Sequence, residues 1–304
     1  MNAAVDTLSA DPLSAELSAA APEGGALIAA PPKGGRRPRA SRGQMIARIA
    51  ILIVVLGYLL LPLFAMLEFS TRGDFGSRSL NAFTAIIGKQ DLIDSVTTTL
   101  QIAVLTVFGM LVLLVPTMVW TIVRVPRMRR VIEFLCLLPL AIPAIVLVVG
   151  IAPIYRFMGQ NFGKIGASPL TLALIDIILV LPFAYRAIDA SLRSIDTATL
   201  ADAARSLGAG WVRTIVQVIM PNIRAGILSA SVLAIALVLG EYTISSLLSF
   251  NTLQVVIVVL GKQDPFISVA VSFSALIFGF VLLVVIARVG GGRRSNRQVE
   301  EPAV

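Results

Sequence analysis

Long apolar runs separated by short charged segments make up most of this chain beyond residue 48. A helix that crosses a bilayer needs about 20 mostly apolar residues, and only helices or closed barrels satisfy the backbone inside lipid. Six runs have the required length: Ile49–Leu67, Ser95–Val123, Phe134–Tyr155, Pro169–Tyr185, Ala225–Leu248 and Pro265–Ala287. The pattern therefore predicts an all-α integral membrane protein with six transmembrane helices.

Composition agrees with this prediction and excludes several kinds of chemistry. Of the 304 residues, 57% are hydrophobic and 14% are charged, whereas soluble domains are about a quarter charged. Histidine is absent and Cys136 is the only cysteine. These counts exclude histidine-based acid–base catalysis, Ser-His-Asp triads and the usual histidine or multi-cysteine metal sites.

The positions of the basic residues predict the orientation in the membrane. With the N-terminus inside, 19 of the 25 Lys and Arg residues lie in cytoplasmic segments, as the positive-inside rule requires. Both termini are therefore predicted to be cytoplasmic. The net charge of +8 does not indicate a nucleic-acid partner, because the basic residues flank the apolar runs.

The chain divides by composition into three parts. Residues 1–48 are rich in Ala, Pro, Gly and Ser and are predicted to form a disordered cytoplasmic tail. Residues 49–290 form the six-helix transmembrane domain, which includes a cytoplasmic loop at 190–222, and residues 291–304 form a second cytoplasmic tail. The run Leu253–Gly261 is too short to cross and is predicted to be an interfacial or re-entrant piece on the outer side.

The loop between the fourth and fifth runs begins with signals for a short helix. Asp196, Thr197 or Thr199 is suited to cap its N-terminus, and Thr199 with Asp202 approximates a capping box. Gly208 is suited to end it, because glycine adopts the left-handed conformation without steric cost.

A second amphipathic piece follows in the same loop. Four apolar residues recur at near-helical spacing, namely Trp211, Ile215, Val218 and Ile219, and Pro221 is suited to open the next helix. Two interpretations remain open: the loop docks against another protein, or it lies on the lipid headgroups.

The same loop resembles the signature loop of permease subunits of ABC importers. That signature reads Glu-Ala-Ala, three residues, Gly, nine residues, then Ile-x-Leu-Pro. This chain has the same spacing, with Asp202, Val218 and Met220 as conservative departures; the matching residues are Asp202, Ala203, Ala204, Gly208 and Pro221. The resemblance covers roughly residues 49 to 290 and implies a type I ABC importer permease.

The resemblance also implies partners and a mechanism. In this family the loop forms a coupling helix that docks on a cytoplasmic ATPase dimer, and ATP binding turns a pair of permease subunits outward to accept solute from an external binding protein. By this resemblance Asp202, Ala203, Ala204, Gly208 and Pro221 are the coupling residues of a multi-pass inner-membrane protein. The chain has no Walker A loop. It is therefore expected to be no enzyme, with ATP and Mg bound by the partner ATPase.

Ionisable residues inside apolar runs are candidates for the translocation pathway, because they are costly in lipid. Glu241 in the fifth run and Asp176 in the fourth meet this description. A buried hydrogen bond between helices is the alternative for Asp176. Glu133, at the inner start of the third run, is expected to pair with Arg129 or Arg130.

Prolines and a glycine add to the pathway hypothesis. Pro139 and Pro143 each remove a helix hydrogen bond in the third run, and broken helices often line the path of transporters. Plain kinks are the alternative. Gly240 beside Glu241 is expected to allow a backbone or a ligand to approach closely.

The substrate is the least constrained part of the prediction. Two passages, "LPFAYRAIDASLRSID" and "LGEYTISSLL", resemble permeases that import spermidine and putrescine, ferric iron or aminoethylphosphonate. Polyamine ranks first, because Glu241 and Asp176 suit a cation, and iron or phosphonate follows. A stand-alone secondary transporter or channel is an alternative class, which would show internal repeats and no docking loop, and a non-transporting scaffold is a third.

Overall fold

The structure, a computed structural model, describes residues 42–72 and 78–291, so most of the two predicted tails lies outside the described residues. The regular structure of this part of the chain is helical. Twelve helices are numbered here: α1 Arg42–Ser70, α2 Asn81–Ile87, α3 Gln90–Arg124, α4 Arg129–Leu137, α5 Ala144–Asn161, α6 Leu172–Arg193, α7 Thr197–Ser206, α8 Trp211–Asn222, α9 Arg224–Leu239, α10 Thr243–Leu247, α11 Leu253–Gln263 and α12 Pro265–Gly291.

Five helices in the described residues are long and apolar enough to cross a membrane, and the number is six if the bent pair α8 and α9 counts as one span. The all-helical membrane fold is therefore confirmed. Helix α1 begins at Arg42, seven residues before the predicted run. The chain divides into two compact units, residues 1–58 and 59–304, and the packing described below belongs to the second.

The core of the second unit lies where α3, α6 and α9 pack together. Helix α9 presents small residues at four-residue intervals, Gly226, Ala230 and Ala234, all buried. A Cβ atom at Gly226 would lie 2.5 Å from the Cβ of Ser191 in α6. Small residues allow membrane helices to approach closely, so this stripe fixes the distance between α9 and α6.

The third predicted span, Phe134–Tyr155, is not one continuous helix, and the break lies at the prolines that the sequence predicts to remove helix hydrogen bonds. Helix α4 ends at Leu137, a 3-10 turn follows over Leu138–Ala141, and the spanning helix α5 begins only at Ala144. Ile142 is extended, with φ −101° and ψ 118°, because a residue before proline avoids the helical region. Pro143 then caps α5, and its carbonyl accepts a hydrogen bond from Val146 N at 3.0 Å.

The fifth predicted span, Ala225–Leu248, is also wrong as a continuous helix. Helix α9 ends at Leu239, and the short helix α10 begins at Thr243. The chain between them is held by Glu241, whose carboxylate accepts hydrogen bonds from the backbone N–H groups at the start of α10. The span therefore ends at Leu239, with Gly240 as its C-cap, earlier than hydropathy indicates.

The predicted short piece at Leu253–Gly261 forms α11, an 11-residue helix that is too short to cross. Three hydrogen bonds attach it to spanning helices, one of them from Gln254 Nε2 to Leu239 O of α9 at 2.8 Å. Leu253 N donates to Thr99 Oγ1 of α3 at 3.0 Å, and Ser268 Oγ of α12 donates to Ile257 O at 2.9 Å. The first half of helix α11 is thus anchored to the spanning helices.

Candidate functional site

Helix α7, which carries the coupling residues named from the sequence, begins with a side-chain cap. The Asp196 carboxylate accepts hydrogen bonds from Thr199 Oγ1 at 2.7 Å and from Thr199 N at 3.2 Å. These bonds, the hydroxyl first, lower the pKa of Asp196. The capping box proposed for Thr199 and Asp202 is wrong, because Thr199 lies inside the helix and Asp196 is the cap.

Helix α7 ends at a glycine, as the sequence predicts. Gly208 has a φ of +82°, in the left-handed region that side chains disfavour. Its N–H donates to Arg205 O at 2.9 Å, and Ala209 N donates to Ala204 O at 3.1 Å. This pair of bonds is a Schellman motif, so the turn after α7 has a defined geometry.

The alanine patch of α7 is divided between two faces. Ala201 and Ala204 are buried within the chain, whereas Asp202 and Ala203 are exposed. Ala204 is therefore not exposed at the surface as Asp202 and Ala203 are, and its coupling role stays a prediction. Its burial fixes α7 to the rest of the protein.

Three apolar side chains near the turn are exposed and were missed by the sequence reasoning. Leu207 is 90% exposed, Val212 75% and Val216 52%. Together with Gly208 they form a surface that we call the exposed tip. Helical spacing contained the signal, because Val212 and Val216 lie opposite the buried face of α8.

Helix α8 packs by the face that the sequence predicts, but its backbone is unusual. Trp211 and Val218 are partly buried and Ile215 and Ile219 are buried. Residues Thr214–Ile219 form a π-helix, a rare form that often occurs at functional sites.

Pro221 lies in the last turn of α8, Met220–Asn222, so the prediction that it opens the next helix is wrong. Helix α9 begins at Arg224, after Ile223, and makes an angle of 84° with α8. Pro221, which lacks an N–H group, lies two residues after the end of the π-helix at Ile219. It therefore belongs to the end of α8 and not to the start of the span.

The two predicted pathway acids interact electrostatically. Asp176 of α6 is 5% exposed, and the negative charge of Glu241 acts on its carboxyl. Among the described residues, neither carboxylate forms an ion pair with Lys or Arg. Two acids that share one region without a basic counter-charge are suited to attract a cation.

Glu241 also has a structural role. Its Oε1 accepts from Ile244 N, and its Oε2 accepts from Ser245 N and Ser245 Oγ, at distances of 2.6 to 3.0 Å. No other helix approaches Gly240 closely, because the nearest atoms to an added Cβ are carbonyls of its own helix at 3.5 and 3.8 Å; approach of a ligand there stays a prediction. Glu241 is therefore a helix cap whose charge also acts on Asp176.

The two prolines of the third span lie at the break described above. Pro139 is the second residue of the 3-10 turn and is partly buried, whereas Pro143 is exposed and precedes α5. Both interrupt the helix as the sequence predicts. Their role in a pathway stays a prediction.

An ion-pair cluster between α4 and α6 was not expected from the sequence. The buried carboxylate of Asp189 binds Arg129 at 2.6 Å and Arg193 at 2.7 Å. Burial opposes the charge on Arg129, but the hydrogen bond and the negative charge of Asp189 outweigh this and raise the pKa of the guanidinium. The sequence suggested that Glu133, four residues from Arg129, pairs with Arg129 or Arg130. The partner of Arg129 is instead Asp189, which lies 60 residues away.

Comparison with known families identifies one family. Residues 103–290 match the family described as "Binding-protein-dependent transport system inner membrane component". The match spans more than half of the chain and includes α7, α8 and both acids. No curated protein matches the chain.

Proposed function

The chain belongs to the binding-protein-dependent transport inner membrane components, which are ABC importer permease subunits, and we propose that α7 and the exposed tip couple it to a cytoplasmic ATPase dimer. As a family member it is a multi-pass plasma membrane protein and a non-catalytic transport component. Under this proposal, ATP and Mg bind to the ATPase and not to this chain. A second permease, identical or homologous, and an external binding protein complete the importer.

The observation that carries the proposal is an exposed apolar surface on a rigid base. Leu207 and Val212 are among the more exposed large apolar side chains outside the spanning helices, and such patches mark sites of protein contact. The base is rigid because Asp196 caps α7 and Ala201 and Ala204 are buried beneath it. A partner that seats the exposed tip would therefore move α7 as a unit.

Movement of α7 would reach two spanning helices directly. Helix α6 ends at Arg193, four residues before α7 begins, and α8 leads into α9 after one residue. Thr197 Oγ1 donates to Leu192 O at 3.2 Å, which adds a side-chain bond across the junction with α6. These short connections support a coupling role because little chain is left to absorb the displacement.

For the substrate we propose a polyamine such as spermidine or putrescine. Support comes from Asp176 and Glu241, two neighbouring acids in or beside spanning helices that have no basic ion-pair partner in the described residues. A polyamine carries the complementary charge. Ferric iron is a second cationic candidate, and phosphonate ranks below both because two acids would repel it.

The proposed coupling is tested by reconstitution in liposomes. The purified chain alone should move no solute, and uptake should require the ATPase, ATP and the binding protein together. Uptake by the chain without an ATPase would contradict the proposal. Ligand binding to the isolated binding protein, measured by calorimetry with spermidine, putrescine, ferric iron and aminoethylphosphonate, would test the substrate separately.

A further inference from the structure

A cleft of about 290 Å³ lies between the end of α3 and the turn that joins α7 to α8. Its lining residues come from both segments: Trp120, Arg124, Arg205, Ala209, Gly210 and Trp211. We call it the Trp–Arg cleft. Ligand sites commonly occupy about 300 to 1,000 Å³, so this cleft has room for one small group.

The charge of the Trp–Arg cleft is positive. Arg124 and Arg205 are both exposed, and its lining contains no acidic residue. Within residues 42–72 and 78–291, neither guanidinium forms an ion pair with a carboxylate. The nearby ends of α3 and α7 carry only partial negative charges, which leave most of the two full positive charges uncompensated.

The tryptophans hold this site in place and locate it at the membrane. The Arg205 guanidinium lies over the Trp211 ring, 5.9 Å from its centroid, in cation–π geometry. Trp120 is 46% exposed and lies one turn before the end of the spanning helix α3. Tryptophan is enriched where a helix leaves the bilayer, so the cleft opens at the level of the lipid headgroups.

From this geometry we infer that the Trp–Arg cleft binds the phosphate of an anionic phospholipid headgroup. Guanidinium groups bind phosphate oxygens through paired hydrogen bonds, and basic pockets between membrane helices bind anionic headgroups. The position of Trp120 one turn inside the end of a spanning helix favours a lipid over a soluble partner. The inference needs only the membrane location of α3 and does not depend on the proposed coupling to an ATPase.

The chain has a built-in reporter for this site. Its two tryptophans are Trp120 and Trp211, and both line the cleft, so intrinsic tryptophan fluorescence reports only on this place. The full chain in nanodiscs would be titrated with phosphatidylglycerol or phosphatidylcholine brominated on the acyl chain, because bromine quenches nearby tryptophan. Each tryptophan fluorescence intensity is divided by the intensity measured with the same lipid without bromine.

We expect brominated phosphatidylglycerol to quench more strongly than phosphatidylcholine. Arg124→Gln and Arg205→Gln should each weaken the apparent affinity for phosphatidylglycerol about fivefold. Arg124→Lys and Arg205→Lys should retain more of the affinity than the glutamine variants. Arg127→Gln is the matched control, because Arg127 is exposed just beyond Arg124 but does not line the cleft.

Three results would overturn the inference. Equal quenching by the two lipids would mean general lipid contact, and an equal loss in Arg127→Gln would mean general surface charge. Protection of the tryptophans by millimolar inorganic phosphate would assign the cleft to a free anion. A glutamine variant that elutes differently on gel filtration would be replaced by its lysine counterpart, whose affinity for phosphatidylglycerol should still exceed its affinity for phosphatidylcholine.

Discussion

Single residues fix the geometry of the turn between α7 and α8. Asp196 satisfies the start of α7 and Gly208 ends it in the left-handed conformation. Nothing lies within 4 Å of a Cβ atom built on Gly208. Space therefore does not require a glycine at this position, but the backbone conformation does.

Gly208→Val tests this requirement against Gly210→Ala. A β-branched residue in the left-handed region costs about 1–2 kcal/mol, so the variant should insert normally but lose most ATP-dependent uptake. Gly210 has φ −68° and also has open space around its Cβ position, so its alanine variant should keep uptake near the unmodified level. The measurement is solute uptake by proteoliposomes containing the complete importer.

Normal uptake by Gly208→Val would argue against a coupling role for this turn. Loss of uptake in both variants would mean that any side chain in the turn is harmful. The backbone explanation would then be wrong.

Helices α4 and α6 are joined by the charges of Asp189, Arg129 and Arg193. The two arginines differ in location, because the Arg129 side chain is 35% exposed and that of Arg193 is 59% exposed. Arg193 lies on the same helix as Asp189, whereas Arg129 links two helices. Arg129 therefore contributes to the packing of α4 against α6, whereas both arginines compensate the charge of Asp189.

Arg129→Gln should lower the free energy of unfolding by about 1–2 kcal/mol, because it removes a charged hydrogen bond between helices. Arg193→Gln should lower it by less than about 0.5 kcal/mol, as expected for an exposed pair within one helix. Denaturant titration of the protein in detergent micelles, followed by circular dichroism, measures both. Equal losses of unfolding free energy in the two variants would show that the bond between α4 and α6 contributes no more than the bond within α6.

Across the whole molecule, the charge of Glu241 acts on Asp176 although 65 positions separate the two acids in the sequence. Asp176 is the better residue to substitute, because a substitution at Glu241 would also remove the cap of α10. A change at Asp176 alters charge without removing that cap.

Asp176→Asn should reduce the rate of polyamine uptake about tenfold at limiting substrate, equivalent to about 1.4 kcal/mol of lost attraction. Asp91→Asn, at an exposed acid near the start of α3, is the matched control and should leave uptake unchanged. Uptake rates with radiolabelled spermidine decide between them. An unchanged rate in Asp176→Asn would return this residue to a purely structural role.

Hydropathy and motif spacing predicted the helical fold, the family and the glycine stop of α7, because these depend on local sequence. The ends of the third and fifth spans were predicted wrongly. At Pro143 the backbone leaves the helix within an apolar stretch, and at Glu241 a side chain caps α10. Hydropathy does not register either event.

The pairing of Arg129 with Asp189 and the burial of Ala204 depend on tertiary packing. Residues far apart in the chain meet only after the helices assemble. The sequence therefore suggested the near neighbour Glu133 as the partner of Arg129, and it gave no sign that Ala204 is buried.

The glycine in the small-residue stripe of α9 determines how the bundle responds to force. At Gly226 the two helices have no side chain of α9 between them, and the Ser191 side chain of α6 lies directly against this backbone. Flexible side chains normally absorb small shifts between neighbours by changing rotamer. Because α9 has no side chain at this contact, we expect a displacement of α6 or α9 to move the other helix with it, so that the two helices tilt together.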